Sequence, residues 1–252
     1  MQIINTRPQQ RAHALTQELI EADHEVLDLP LLALEALPLD ENLQQQFIEF
    51  REVEYVVVVS PTAAEIGLQY YFELGLQQSD LQKKTWIAVG VATQQYLSQF
   101  EIISHVPEVE TSEGMLALDL FKQFKNRSIA FWRGIGGRTF MMESLQQQGC
   151  NVLNMLLYQR KLPQLSLTRA ELVKQDAIVI ITSEESWNNW YLLSEKFNWD
   201  LLRFSYIVLA DRVTQILQDY FLNQGQKPRI TTVHSLKIKS ILEQVNRIST
   251  DE

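Results

Sequence analysis

The 252-residue sequence contains one cysteine, Cys150, so it can form neither an intrachain disulfide nor a thiolate metal cluster. A small buried apolar residue is the expected role of that thiol. No apolar run approaches the roughly 20 residues that span a bilayer. The opening stretch, MQIINTRPQQR, is polar where a signal peptide keeps its apolar segment, and the cytoplasm is the expected compartment. Basic blocks are missing too: 22 lysines and arginines against 31 aspartates and glutamates leave a net charge of −9, which argues against a nucleic-acid partner. The four histidines, His13, His24, His105 and His234, have no metal-ligand spacing, and no G-x-S-x-G nucleophile elbow is present. Metal-assisted hydrolysis and Ser/His/Asp chemistry are therefore not expected. The acidic balance adds a constraint. An anionic ligand would have to be held by local donors, because the overall field opposes it.

What the sequence does have is 46% hydrophobic residues, arranged as short β-rich runs that alternate with amphipathic stretches. This is the pattern of parallel α/β units. It predicts strands near 3–6, 25–30, 55–60, 86–90, 102–106, 128–133, 151–158, 177–183, 206–210 and 230–234. Ten strands of this length suit two five-stranded sheets better than one open sheet. An internal repeat supports the division. Arg7 and Arg133 lie 126 residues apart, as do Val26 and Val152. Val56–Ser60 matches Val179–Ser183 at an offset of 123, and Trp86–Gly90 matches Tyr206–Ala210 at 120. The residues themselves allow two assemblies: each consecutive set makes a lobe, or the middle block closes on itself and the two ends close together. In the second case Pro30–Pro38 and Tyr158–Pro163 are the crossings, since proline resists helix and central strand pairing.

Ligands of open parallel sheets bind beyond the C-terminal strand ends, where helix N-termini point. The residues found there are Thr6-Arg7-Pro8, Ser60-Pro61-Thr62, Gly90-Val91-Ala92-Thr93, Arg133–Arg138, Thr182-Ser183-Glu184-Glu185 and Asp211-Arg212. Many of these are good N-cap residues in their own right. Arg133-Gly134-Ile135-Gly136-Gly137-Arg138 is the sharpest feature, because glycines let backbone N–H groups approach an anion and arginine grips a carboxylate with two bonds. It lacks the third glycine of a dinucleotide fingerprint, and the next strand ends in Leu157-Tyr158 without an acidic ribose ligand. A phosphorelay receiver would need clustered aspartates at strand ends, and these are missing. Trp187, Trp190 and Tyr191 follow Ser183 at helical spacing and are expected to pack in the core rather than stack on a ligand.

Over nearly its whole length the chain resembles the uroporphyrinogen-III synthase family. The resemblance rests on Asn5-Thr6-Arg7-Pro8, Val26–Pro30, Ala88–Thr93, Pro107 with Ser112-Glu113-Gly114, Arg133–Arg138, Gly149 and Tyr158-Gln159-Arg160, in that order and spacing. The chain departs from the family at Ser60-Pro61-Thr62-Ala63-Ala64, where a Thr-Ser-x-Asn type segment is usual, and at Ala210, where serine is common.

The resemblance implies two flavodoxin-like α/β lobes with parallel five-stranded sheets. One lobe is discontinuous (1–34 plus 163–252), the other is inserted (38–158), and 30–38 and 158–163 connect them. It implies hydroxymethylbilane as substrate, no cofactor, and the preceding bilane-forming enzyme as a transient partner; a monomer is the default expectation. By the same resemblance Tyr158 is the general acid. The carboxylate-binding candidates are Arg7, Ser60, Thr62, Gly90, Thr93, Ser112, Arg133, Gly136, Gly137, Arg138, Thr182, Ser183 and Arg212. Two other classes stay open at this point: a two-lobed anion-binding protein without chemistry, and a homologue retained as an interaction module.

Overall fold

The computed structural model describes residues 1–122 and 124–250. In chain order the first elements are β1 (Gln2–Asn5), α1 (Gln9–Glu21), β2 (Glu25–Asp28), β3 (Ala33–Ala36), α2 (Glu41–Phe50), β4 (Tyr55–Val58) and α3 (Pro61–Glu73). There follow α4 (Gln78–Leu81), β5 (Thr85–Ala88), α5 (Val91–Ser98), β6 (Ser104–His105), α6 (Ser112–Leu116), β7 (Ser128–Gly134), α7 (Phe140–Gln147) and β8 (Asn151–Lys161). The last are α8 (Gln164–Arg169), β9 (Ile178–Ile181), α9 (Glu184–Phe197), β10 (Ser205–Leu209), α10 (Asp211–Leu222), β11 (Arg229–Val233) and α11 (Ile238–Thr250). These divide into two compact units. The first comprises Met1–Ala33 and the chain from Lys161 on; the second is Leu34–Arg160. The middle block therefore closes on itself, which removes the assembly from consecutive sets.

The first unit holds a five-stranded sheet in the order β11-β10-β9-β1-β2, with every neighbouring pair parallel. The second holds a sheet in the order β3-β8-β7-β4-β5-β6, parallel from β8 to β6. When each repeat is numbered from its arginine-ending strand, both sheets have the doubly wound order 2-1-3-4-5. The switch point falls between β1 and β9 in the first unit and between β7 and β4 in the second.

The second sheet has six strands, not the five expected. The extra one, β3, runs beside β8 at the sheet edge, where Leu37 N–H donates to Leu157 O at 2.9 Å and the Gln159 amide donates to Glu35 at 3.1 Å. The sequence leads one to expect Pro30–Pro38 and Tyr158–Pro163 as extended crossings that resist central strand pairing and could lie side by side. Pro30 and Pro38 flank the strand instead of interrupting it, and an edge position leaves one side without ladder demands. Strand β8 likewise runs on to Lys161, past the expected end at Tyr158.

Apolar runs form these strands because both sheet faces are covered by helices. In the first unit Ile4, Val179, Ile181, Tyr206 and Val208 face one layer, and Ile3, Ile178, Ile180 and Ile207 face the other. In the second, Val56, Val58, Trp86 and Trp132 alternate with Val57, Ile87, Ile129 and Phe131 in the same way. The centroid of Trp132 lies 5.2 Å from those of both Phe50 and Trp86. Each such aromatic pair contributes about 0.5–1.5 kcal/mol beyond its area. Gly67 of α3 faces this ring, where a Cβ would fall 2.3 Å from the indole. Trp187 and Trp190 are buried in the first unit's core, and Cys150 is buried in the second. Among the described residues no helix is long and apolar enough to cross a membrane.

Candidate functional site

Strands β4 and β7 flank the second sheet's switch point, with β8 next to β7, and a cavity of about 440 Å³ is lined by residues at the C-terminal ends of these strands. Its walls include Ser60, Arg133, Gly134, Arg138, Tyr158 and Arg160, with Glu110, Thr111 and Ser112 on another side. Met115, Met141 and Met142 supply much of the apolar floor.

The direction of Tyr158 comes from a bulge. Arg133 pairs with Leu156, but Gly134 pairs with Tyr158, so β8 carries one extra residue at Leu157. Strict alternation would send Leu157 and Tyr158 to opposite faces; here both join the same buried cluster. Gly134 also makes room for the tyrosine. A Cβ there would lie 2.5 Å from Cε2 and 2.6 Å from Cζ of the ring. The peptide beyond the bulge is pinned by Ile135 N–H donating to Tyr158 O at 2.7 Å. At the far end of the ring, the hydroxyl lies 3.1 Å from Ser60 Oγ. Ser60 in turn caps α3, accepting the Ala63 N–H at 3.1 Å.

Arg133 is buried, with 6% of its surface exposed. Its Nε donates to Gly134 O at 3.3 Å, Nη1 reaches Met142 Sδ at 3.6 Å, and Nη2 donates to Gly136 O. All these acceptors are neutral. Burial holds the guanidinium below its ordinary pKa, and the nearby Tyr158 oxygen acts in the opposite sense. Among the described residues no carboxylate accepts a hydrogen bond from Arg133, and a buried cation so placed carries a desolvation cost that an incoming anion would offset. The turn that follows needs its glycines, because Gly136 and Gly137 have φ of +79° and +78°. Arg138 is exposed and sits 3.6 Å from Glu113.

Of the sequence candidates, the cavity gathers Ser60, Ser112, Arg133, Gly136, Gly137, Arg138 and Tyr158. Thr62, Gly90 and Thr93 belong to the same unit but not to the cavity walls; Thr93 is on the buried face of α5. The α5 N-terminus is already occupied by Glu110, whose Oε1 accepts the Val91 N–H at 2.9 Å. Gly90 leaves space for that carboxylate, since a Cβ would fall 2.2 Å from its carbon. The other four candidates lie at strand ends of the first unit. Arg7 is half-buried, and burial followed by the charge of Arg11 lowers its pKa. Thr182 precedes Ser183, which closes a capping box with Ser186 on α9. Arg212 pairs with Glu184 at 2.9 Å in an exposed setting.

Arg160 was not among the candidates, although it stands two residues beyond Tyr158 and period two places it on the same side in a strand. Glu110 was also missed, and no local pattern marks it, because its contact bridges 19 residues of chain. The walls thus carry Arg133, Arg138 and Arg160 against Glu110, a local excess of positive charge on an acidic protein.

The family model described as uroporphyrinogen-III synthase HemD matches residues 13–236. The chain belongs to the uroporphyrinogen-III synthase family. It is 30% identical over 162 residues to a uroporphyrinogen-III synthase of Proteus mirabilis, covering 64% of this chain and 80% of that one. Among solved structures, a mutant uroporphyrinogen III synthase of the extremely thermophilic bacterium Thermus thermophilus aligns with a TM-score of 0.62 at 17% identity over the whole of both chains. The uroporphyrinogen-III synthetase of Helicobacter pylori aligns at 0.58 and 15% identity, covering 98% of this chain and 100% of that one. These two likenesses establish the two-lobed α/β fold.

Ser60 and Ala210, singled out from the sequence, each have a physical setting in the structure. Ser60 both caps its helix and touches the tyrosine hydroxyl. Ala210 takes φ 68° and ψ 150°, a backbone region that suits glycine.

Proposed function

We propose that this chain is a uroporphyrinogen-III synthase, cyclising hydroxymethylbilane to uroporphyrinogen III with inversion of ring D and net loss of one water. The pyrrole nitrogen of ring A expels the hydroxyl, giving an azafulvene. Ring D attacks it through its substituted carbon, forming a spiro intermediate that fragments and recloses on the other carbon. Much of this drive is internal to the substrate, so the protein's largest contribution is the pose. Tyr158 delivers a proton to the departing hydroxyl, which leaves as water, and the substrate returns a proton when the pyrrole rearomatises. Arg133, Arg138 and Arg160 take substrate carboxylates, helped by Ser112 and the Gly136–Gly137 turn. In the first unit Arg7 and the α9 N-terminus at Thr182–Ser183 are the proposed contacts.

The observation that carries this reading is the pairing, in one cavity, of a buried arginine whose hydrogen-bond acceptors among the described residues are all neutral with a tyrosine hydroxyl held by Ser60. The test is to supply hydroxymethylbilane, oxidise the products and resolve the type III from the type I porphyrin. Type I forms spontaneously, so only enrichment of type III counts. Tyr158→Phe should fold normally and lower the type III rate about 10²-fold or more, the usual worth of a positioned acid. An unchanged rate in that variant would remove Tyr158 from the chemistry.

A further inference from the structure

We infer that Ser60 is a positioning residue for the acid step, donating its hydroxyl hydrogen to the Tyr158 oxygen so that the phenol proton is left to face the substrate. The inference rests on the reading of Tyr158 as the acid.

The geometry favours this direction of donation. Ser60 Oγ already accepts the Ala63 N–H at 3.1 Å, and that bond fixes the oxygen at the first turn of α3. The Tyr158 oxygen stands 3.1 Å away, and either hydroxyl can donate across that gap. If tyrosine donated, its only hydrogen would be spent on the serine oxygen at the helix cap. If serine donates, both hydroxyls are used: the serine hydrogen reaches the phenol oxygen, and the phenol hydrogen is free. The ring cannot turn away, since Gly134 backs it closely and it is almost wholly buried.

The arrangement also strengthens as the reaction proceeds. When Tyr158 gives up its proton, its oxygen becomes anionic, and the serine O–H then donates to a charge. Such bonds are shorter and about twice as strong as neutral ones. An interaction that grows in the transition state raises kcat without tightening ground-state binding. No covalent bond to Ser60 forms at any stage, and the serine keeps its proton throughout.

Two variants separate this role from capping. Ser60→Gly keeps a tolerated N-cap residue, which costs only a few tenths of a kcal/mol relative to serine, while deleting the hydroxyl. Ser60→Thr keeps both. We expect Ser60→Gly to lower kcat for type III formation roughly 10- to 100-fold, the worth of one hydrogen bond to a charged group, with KM and melting temperature little changed. Ser60→Thr should restore the rate to within about threefold of wild type. The decisive measurement is the double variant. In the Tyr158→Phe background Ser60→Gly should change kcat by less than about twofold, because coupled residues do not add. If the two losses multiply instead, Ser60 acts independently of Tyr158 and the inference is overturned. If Tyr158→Phe alone leaves the rate unchanged, the acid reading has failed first.

Discussion

The two units share one strand order and one repeat, yet their strand ends have been put to different use. Ser183 and Ser60 occupy matching positions. Ser183 spends its hydroxyl on a capping box with Ser186, whereas Ser60 caps its helix and also meets Tyr158. Arg7 and Arg133 also match. Arg7 is half-buried at the first unit's strand end, while Arg133 is buried against neutral carbonyls in a cavity. Strand β2 ends at Asp28 with leucines soon after it, and its counterpart β8 runs on through Tyr158 and Arg160 to Lys161. The two units share a strand order over five strands; the bulge opposite Gly134 and the arginines around it distinguish the second.

The largest effect should come from closing the space that sets Tyr158. Gly134→Ala places a methyl within 2.5–2.9 Å of the ring, which must move. A displacement near 1 Å costs about 10²-fold in rate, and type III formation should fall by that order while circular dichroism stays native. Retained activity would mean that the second unit's cavity is not where the chemistry occurs, and the contrast drawn between the units would collapse.

Next comes a matched pair of arginines. Arg133→Met removes a buried charge whose partners are all neutral, so stability should hold or rise slightly. Substrate binding should weaken about 10- to 100-fold, as expected for a lost charge-assisted contact. Arg212→Ala, in the other unit, breaks only an exposed pair with Glu184. Such pairs are worth about 0–1 kcal/mol, and KM should change by less than about twofold. Equal effects from the two would show that the units share the anion load evenly. Arg138→Ala falls between them, with KM raised roughly threefold to tenfold. Its pair with Glu113 is exposed and already competes for the guanidinium. An unaltered KM would make Arg138 structural.

Much of this contrast was legible before any coordinates. The repeat offsets gave the strand equivalences, and Arg133–Arg138 marked a strand end that lines a cavity in the structure. Three things escaped. Strand β3 is four residues long between prolines, and edge pairing leaves little trace in composition. The inward turn of Tyr158 depends on the extra residue at Leu157, which an alternating pattern cannot express. Glu110 reaches the α5 N-terminus from a distant loop, and such a contact depends on the tertiary fold rather than on local spacing.

The smallest predicted effect concerns the pair Ala210 and Gly90, which the repeat also equates. Gly90 has φ of −164°, ordinary extended backbone, and is needed for the room it leaves Glu110. Ala210 has φ of 68° with ψ of 150°, where a Cβ is strained, although its N–H is well used by Val233 O at 2.8 Å. The glycine and the strained backbone therefore sit in opposite units. Strain of this kind costs about 1–3 kcal/mol, and the added chain entropy of glycine returns about 0.5–1 kcal/mol of that cost. Ala210→Gly should then stabilise by about 1 kcal/mol, raising the melting temperature by roughly 2–4 °C for a chain of this size. Gly90→Ala should act in the other direction, displacing Glu110 and loosening α5. A lower melting temperature for Ala210→Gly would show that position 210 bears no strain, and would leave the units equivalent at this strand end.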